Sequence, residues 1–185
     1  SDAISITKLP FWDIHWYYIV ENAKHFSNYL VSGDGGDELF GGYIFRYSKF
    51  LSKIHPNSTV NDKIQAYLSC HERDHVPDQD DIFTKKMEFN WQVIYDKLVP
   101  FFDNELSPLE QVFLADYNGK LLYNFSIVNN SLAKSFNIQS ITPLLFPELI
   151  QKSMKINSTQ KYDSLSNVGK LPLRKILEKF GINDL

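Results

Sequence analysis

Residues 27–50 read SNYLVSGDGGDELFGGYIFRYSKF. The run from Asn28 to Val31 is short, apolar and stopped by Ser32-Gly33, which predicts a buried strand rather than a helix. From Glu38 onward, Leu39, Tyr43, Tyr47, Phe50, Leu51 and Ile54 form one apolar stripe. That spacing predicts a helix, although Gly41 and Gly42 each cost about 1 kcal/mol relative to Ala inside one. A strand that ends in a glycine-rich turn and feeds a helix is where open α/β sheets bind ligands, because backbone N–H groups point outward there. Such a place favours an anion, yet Asp34, Asp37 and Glu38 crowd it with negative charge. A divalent cation between carboxylates and phosphate oxygens resolves the conflict, so Mg²⁺ with a nucleotide is one reading. The other is that Asp34 and Asp37 form and cap the turn while Glu38 steadies the start of the helix. An EF-hand fails because the ligand positions after Glu38 are Phe40, Gly42 and Phe45, and a Walker loop fails for want of Gly-Lys-Ser/Thr.

A length of 185 residues suffices for one domain, or one large piece of one, with a sizeable core. Aromatic residues make up 15% of the chain, a share high enough to expect a core built on large rings. The net charge of −3 argues against a general attraction to nucleic acid or to an anionic membrane. The single cysteine, Cys70, cannot form an internal disulfide, so a buried inert thiol and a cytoplasmic location are expected. No run of about eighteen apolar residues suggests a membrane span, and the first residues lack the basic-then-apolar layout expected of a signal peptide. It starts at Ser1 without Met, and a processed chain or a piece of a longer one is the expectation.

Phe11, Ile14, Tyr18 and Ile19 keep helical spacing behind Pro10, which predicts a buried helix ending near His25. Residues 57–81 alternate short helical patterns with polar stretches, and HVPDQDD reads as an exposed loop. SPLEQVF is the clearest helix start, with Ser107 as cap, Pro108 in the first turn and Glu110 completing a capping box. Helical patterns run on to about Phe136 with a break near Asn118-Gly119, and 141–145 reads as a turn through Thr142-Pro143. PELIQKSMKI and KLPLRKILEKFG read as two further helices, the last stopped by Gly181, and 157–167 as a loop. One strand cannot make a sheet, so its neighbours are expected outside this chain.

His71-Glu72-Arg73-Asp74-His75 formally matches the zinc motif H-E-x-x-H. Charged middle positions, Pro77 ending any helix after the second His, and the lack of a third ligand argue for a solvated helix end instead. His15, His25 and His55 are expected at the surface or the edge of the core. Lys170 and Arg174 are read equally as structural or as facing substrate.

The longer string LVSGDGGDELFGGY, followed by Arg46-Tyr47, resembles the signature after the central strand of the synthetase domain in asparagine synthetases and related ATP-dependent amide-forming enzymes. The order continues through Asp116, YNGKLLYNFSIVNNSLAKS, ITPLL and the Gly169, Lys170, Arg174 stretch, so the resemblance covers nearly the whole chain. It implies an α/β fold, a Rossmann-like ATP pyrophosphatase (adenine nucleotide α-hydrolase-like) domain, of which this chain would be a mostly helical piece with few strands. It implies that ATP activates a carboxylate as an acyl-adenylate and that an amine then attacks. Asparagine formation from aspartate through β-aspartyl-AMP is the leading version. A relative acting on another carboxylate, or a catalytically silent homologue, stays open. On this resemblance Ser32, Gly33 and Gly35 lie near the nucleotide, Asp37 carries Mg²⁺ and pyrophosphate, and Asp34 is the catalytic, substrate-side carboxylate. The implied cofactors are ATP and Mg²⁺. The implied partners are aspartate or another carboxylate, a glutaminase domain or other ammonia source, and a second copy in a homodimer.

The chain also departs from the family pattern. Gln139, Ile141 and Pro143 stand where members commonly carry Glu-x-Arg-x-Pro, which removes two charges able to hold each other and implies altered activity. Asn130 stands where Asp is frequent. The family's Ser-Gly-Gly-x-Asp-Ser loop is expected before residue 1 and its catalytic lysine after residue 185, so residues 1–185 read as a domain truncated at both ends and not expected to turn over alone.

Overall fold

The structure, a computed structural model, describes residues 2–9, 14–71 and 90–182. It is mostly helical with a small parallel sheet, and the chain divides into two compact units, Ser1–Phe40 with Asp116–Ile156 and Gly41–Ala115 with Asn157–Leu185.

In the first unit, helices α1 (Asp2–Thr7) and α2 (His15–Ala23) precede strand β1 (Tyr29–Val31) and the short helix α3 (Gly36–Phe40). β1 forms where the apolar run predicts a strand, but it is not buried as expected: Tyr29 is 58% and Val31 66% exposed, because alternate residues face opposite sides and only Leu30 meets the core. Its partner lies in this chain, contrary to expectation: strand β2 (Gln139–Ile141) pairs with it in parallel, Tyr29 opposite Gln139 and Val31 opposite Ile141. Three residues, two of them polar, are too short a stretch to show a period of two, and the pairing supplies what the sequence does not. Parallel strands need a long crossover, and here more than a hundred residues separate the two, counted from Val31 to Gln139.

The core of this unit gathers Val20, Val128, Leu132, Ala133 and Ile138, with Leu30, Trp16 and Tyr17 against them. The face of α2 therefore differs from the expected one. Ile14, Tyr18 and Ile19 are exposed, while Val20 is 2% exposed. Nearly every position from Ile14 to Val20 is apolar or aromatic, so spacing alone does not select a face. Phe11 falls outside the described residues.

The second unit holds α4 (Ile44–Lys53), α5 (Val60–Ser69), α6 (Trp91–Phe102), α7 (Pro108–Ala115), α10 (Ser158–Lys161) and α11 (Leu171–Lys179). Its core is built on rings, as the composition predicts. Tyr47 meets Phe113 at 5.1 Å and Tyr162 at 5.2 Å edge to face, and Tyr67 meets Phe102 at 5.3 Å. Such pairs contribute about 0.5–1.5 kcal/mol each beyond the area they bury. At the α7 start one arm of the capping box matches its reading, with Glu110 Oε2 accepting from the Ser107 N–H at 3.0 Å, while the Ser107 hydroxyl donates to that oxygen at 2.7 Å rather than accepting from the helix. The end of α11 matches its reading: Gly181 takes φ +78° and Ile182 N–H donates to Leu177 at 3.1 Å.

Three expectations are corrected. The stripe from Leu39 to Ile54 is not one helix but α3 and α4, interrupted at Gly41, whose φ of +78° no continuous helix contains. No break occurs near Asn118-Gly119; the backbone instead widens into a π-helix over Asp116–Phe125 and continues as α8 (Ser126–Ser135). The 157–167 loop contains the single-turn α10, capped by the Asn157 side chain on Thr159 N–H at 3.0 Å, and an antiparallel bridge from Asp163 to Val168. The first unit ends with a 3₁₀ turn (Pro143–Leu145) and α9 (Pro147–Met154). Among the described residues no helix is long and apolar enough to cross a membrane. HVPDQDD lies outside the described residues.

Candidate functional site

Parallel pairing sends β1 and β2 out of the sheet at the same edge, where Ser32 N–H donates to the Ile141 carbonyl at 3.0 Å. The turn that follows is held locally. Ser32 Oγ accepts from Asp34 N–H at 3.4 Å, and the Gly33 carbonyl accepts from Gly36 N–H at 3.1 Å. The carboxyl edge of parallel strands is the ordinary place for a ligand in an α/β sheet, and Ser32 to Asp37 follow that edge directly.

The two glycines that sequence reading brings to a nucleotide differ. A β-carbon on Gly33 would meet nothing within 4 Å, and Gly33 is exposed. Gly35 is buried at φ +87°, and a β-carbon there would lie 2.5 Å from Leu145 Cδ2. The left-handed backbone already favours glycine at position 35, and Leu145 lies against it. Gly33 is the place with open approach.

The three acids also separate. Asp34 is half-buried and its Oδ2 accepts from Asn129 Nδ2 at 2.7 Å. Asp37, in the first turn of α3, is half-buried, while Glu38 is 3% exposed among Leu39 and Phe40 on the buried side. Among the described residues no three His, Cys, Asp or Glu side chains converge as a metal cage. The donor chemistry fits Mg²⁺ more economically, since that ion is commonly held by one or two carboxylates together with substrate phosphates and water. Asp37 carries a donor of that type, whereas Glu38 is buried.

Asn129 is the residue that sequence reading missed. Comparison with the family drew attention to Asn130, which is exposed. Two adjacent asparagines inside a helix run against propensity and are the signal that could have flagged the position. Gln139 is exposed at the start of β2, and Ile141 closes it opposite Val31, so these departures from the family pattern lie on the strand that leads to the site.

The other candidates lie elsewhere in the chain. Lys170 and Arg174 belong to the second unit. Lys170 N–H donates to the Gly41 carbonyl at 3.3 Å, and Arg174 Nε donates to the Gly169 carbonyl at 3.1 Å. His71 follows the end of α5, 8% exposed. Its Nδ1 must donate to the Tyr67 carbonyl at 2.9 Å, which makes Nε2 the acceptor for Arg46 Nη1 at 3.2 Å. Both ring nitrogens are committed, so His71 is not a zinc ligand, and the rest of that motif lies outside the described residues. His15, His25 and His55 are exposed. Cys70 is buried, its thiol donates to the Ala66 carbonyl at 3.1 Å, and burial pushes its pKa up, as an inert thiol requires.

A family model described as asparagine synthase matches residues 1–182. No curated protein and no solved structure gives a significant match.

Proposed function

This chain belongs to the asparagine synthase family, and from that premise we propose that it forms the nucleotide- and substrate-binding turn of a Rossmann-like synthetase that converts aspartate to asparagine. ATP-dependent amide-forming ligase chemistry is what the family supplies. The side-chain carboxylate of aspartate attacks the α-phosphorus of ATP, pyrophosphate departs with the bond electrons, and β-aspartyl-AMP forms. Ammonia, drawn from glutamine, then attacks the acyl carbon, AMP leaves, and a proton is lost to solvent to give the amide.

The observation that carries this reading is the turn itself: an open Gly33 and two half-buried carboxylates at the carboxyl edge of a parallel strand pair. Ser32 and Gly33 give the nucleotide close approach to backbone, and Gly35 shapes the turn that presents them. Asp37 would hold Mg²⁺, which when bound offsets the negative charge of the pyrophosphate. Asp34 faces the substrate.

Asp37→Asn, made in the protein with its flanking sequence, should abolish ATP–pyrophosphate exchange while leaving thermal unfolding unchanged. Exchange at the normal rate would remove the metal role. Another carboxylate substrate is the alternative, and AMP release measured across aspartate, glutamate and larger carboxylic acids identifies which one is used; the departures at Gln139 and Ile141 point instead to a silent homologue, for which none of them would release AMP.

A further inference from the structure

A side-chain hydrogen bond joins α8 to the turn after β1: Asn129 Nδ2 donates to Asp34 Oδ2 at 2.7 Å, across 95 residues of chain. A carboxylate only accepts, so the amide nitrogen must be the end that faces it. The distance is that of a charge-assisted bond, roughly twice as strong as a neutral one. Asn129 is held by a helix whose adjacent Val128 and nearby Leu132 and Ala133 are locked in the core, so the donor is fixed. Asp34 is tied a second time, through its N–H to Ser32 Oγ at 3.4 Å.

We infer that Asn129 is a positioning residue for Asp34, and that the carboxylate so fixed receives the ammonium group of an amino-acid substrate. An amide orients the carboxylate without neutralising it, whereas a lysine or arginine in its place would cancel the charge. Oδ2 is committed to Asn129, and Oδ1 has no hydrogen-bond partner among the described residues. A rigid, half-buried, still-charged acceptor selects a cationic donor, and the α-ammonium of an amino acid is the group that such a substrate offers. This inference rests on the proposed synthetase reading, and the test separates the two.

In the protein with its flanking sequence, Asn129→Leu should raise the KM for aspartate in ATP–pyrophosphate exchange about tenfold, equivalent to about 1.4 kcal/mol. The KM for ATP and the unfolding temperature should not move, and Asn129→Gln, which keeps a donor, should recover part of the loss. An unchanged KM for aspartate, or both KM values moving together with stability, overturns the inference while leaving the synthetase reading intact. Absence of exchange in the unsubstituted protein removes that reading instead. Calorimetry then decides on Asn129: a preference for aspartate over succinate that Asn129→Leu abolishes supports the inference, and equal affinities overturn it.

Discussion

A β-carbon placed on Gly33 would meet nothing within 4 Å, whereas one placed on Gly169 would lie 2.1 Å from the Gly41 carbonyl oxygen and 2.7 Å from Ile44 Cγ2. The first glycine stands in the turn of the first unit and the second in the core-facing wall of the second. In the second unit, small residues let backbone meet backbone: the Gly41 carbonyl accepts from Lys170 N–H, and Gly41 itself turns against Lys161 and Phe113. At Gly33, no described residue fills the space. The two places show that glycine in a motif can mean room kept for packing or room kept for something else, and only the surroundings tell which.

Gly169→Ala should have the largest effect. The added atom meets backbone, which no side-chain rotation relieves, and overpacking of this kind costs about 3 kcal/mol. The expected fall in unfolding temperature is roughly 6–12 °C. An unchanged midpoint would mean that the two chain segments do not cross so closely, and the contrast with Gly33 would disappear.

Lys161, the neighbour of Gly41, sharpens the same contrast through charge. It is 3% exposed, its amine lies 5.2 Å from the Phe113 ring centroid, and burial pulls its pKa down to about 8 although Glu110 opposes the shift. The unfolded chain, with an ordinary lysine near 10.5, binds the proton more tightly. This group therefore makes the protein gain stability as pH rises from about 8 towards 10.5. Glu110 keeps its own donors on Ser107 and Ser158, so removing the amine does not strand it. Lys161→Met should then stabilise the protein by about 1 kcal/mol at pH 7. That advantage should shrink by pH 10, as denaturant midpoints of both proteins at the two pH values will show. An advantage independent of pH would place the amine in water.

Much of this was legible in the sequence because local chemistry decides it. Ser107 with Glu110, Gly181 after α11 and the apolar run into Ser32-Gly33 each carry their own signal within a few residues. What stayed hidden depends on partners far along the chain. β2 is a strand because β1 lies beside it, not because QSI demands one. The widening over Asp116–Phe125 leaves no trace in composition, and the two-helix form of the Leu39–Ile54 stripe depends on Gly41 packing against a lysine from α10. At the site, Ser32, Gly33, Asp34 and Asp37 could be named from the motif. Asn129 could not, since its bond to Asp34 exists only once α8 is folded against the turn.

Gly33→Ala should have the smallest effect on stability. The position lies outside the left-handed region and has open space for a methyl group, so alanine is tolerated and restricts the unfolded chain. A gain of about 0.4–1 kcal/mol, or no change, is expected. Function should respond in the opposite sense, because a methyl group occupies the space that the nucleotide needs: the KM for ATP in pyrophosphate exchange should rise by about an order of magnitude, close to 1.4 kcal/mol. The pairing of the two measurements is what decides. A more stable protein that binds ATP less well makes Gly33 a glycine kept for its ligand, whereas unchanged KM for ATP assigns that space to solvent and leaves Gly169 and Gly41 as the only glycines of this comparison whose lack of a side chain is put to use.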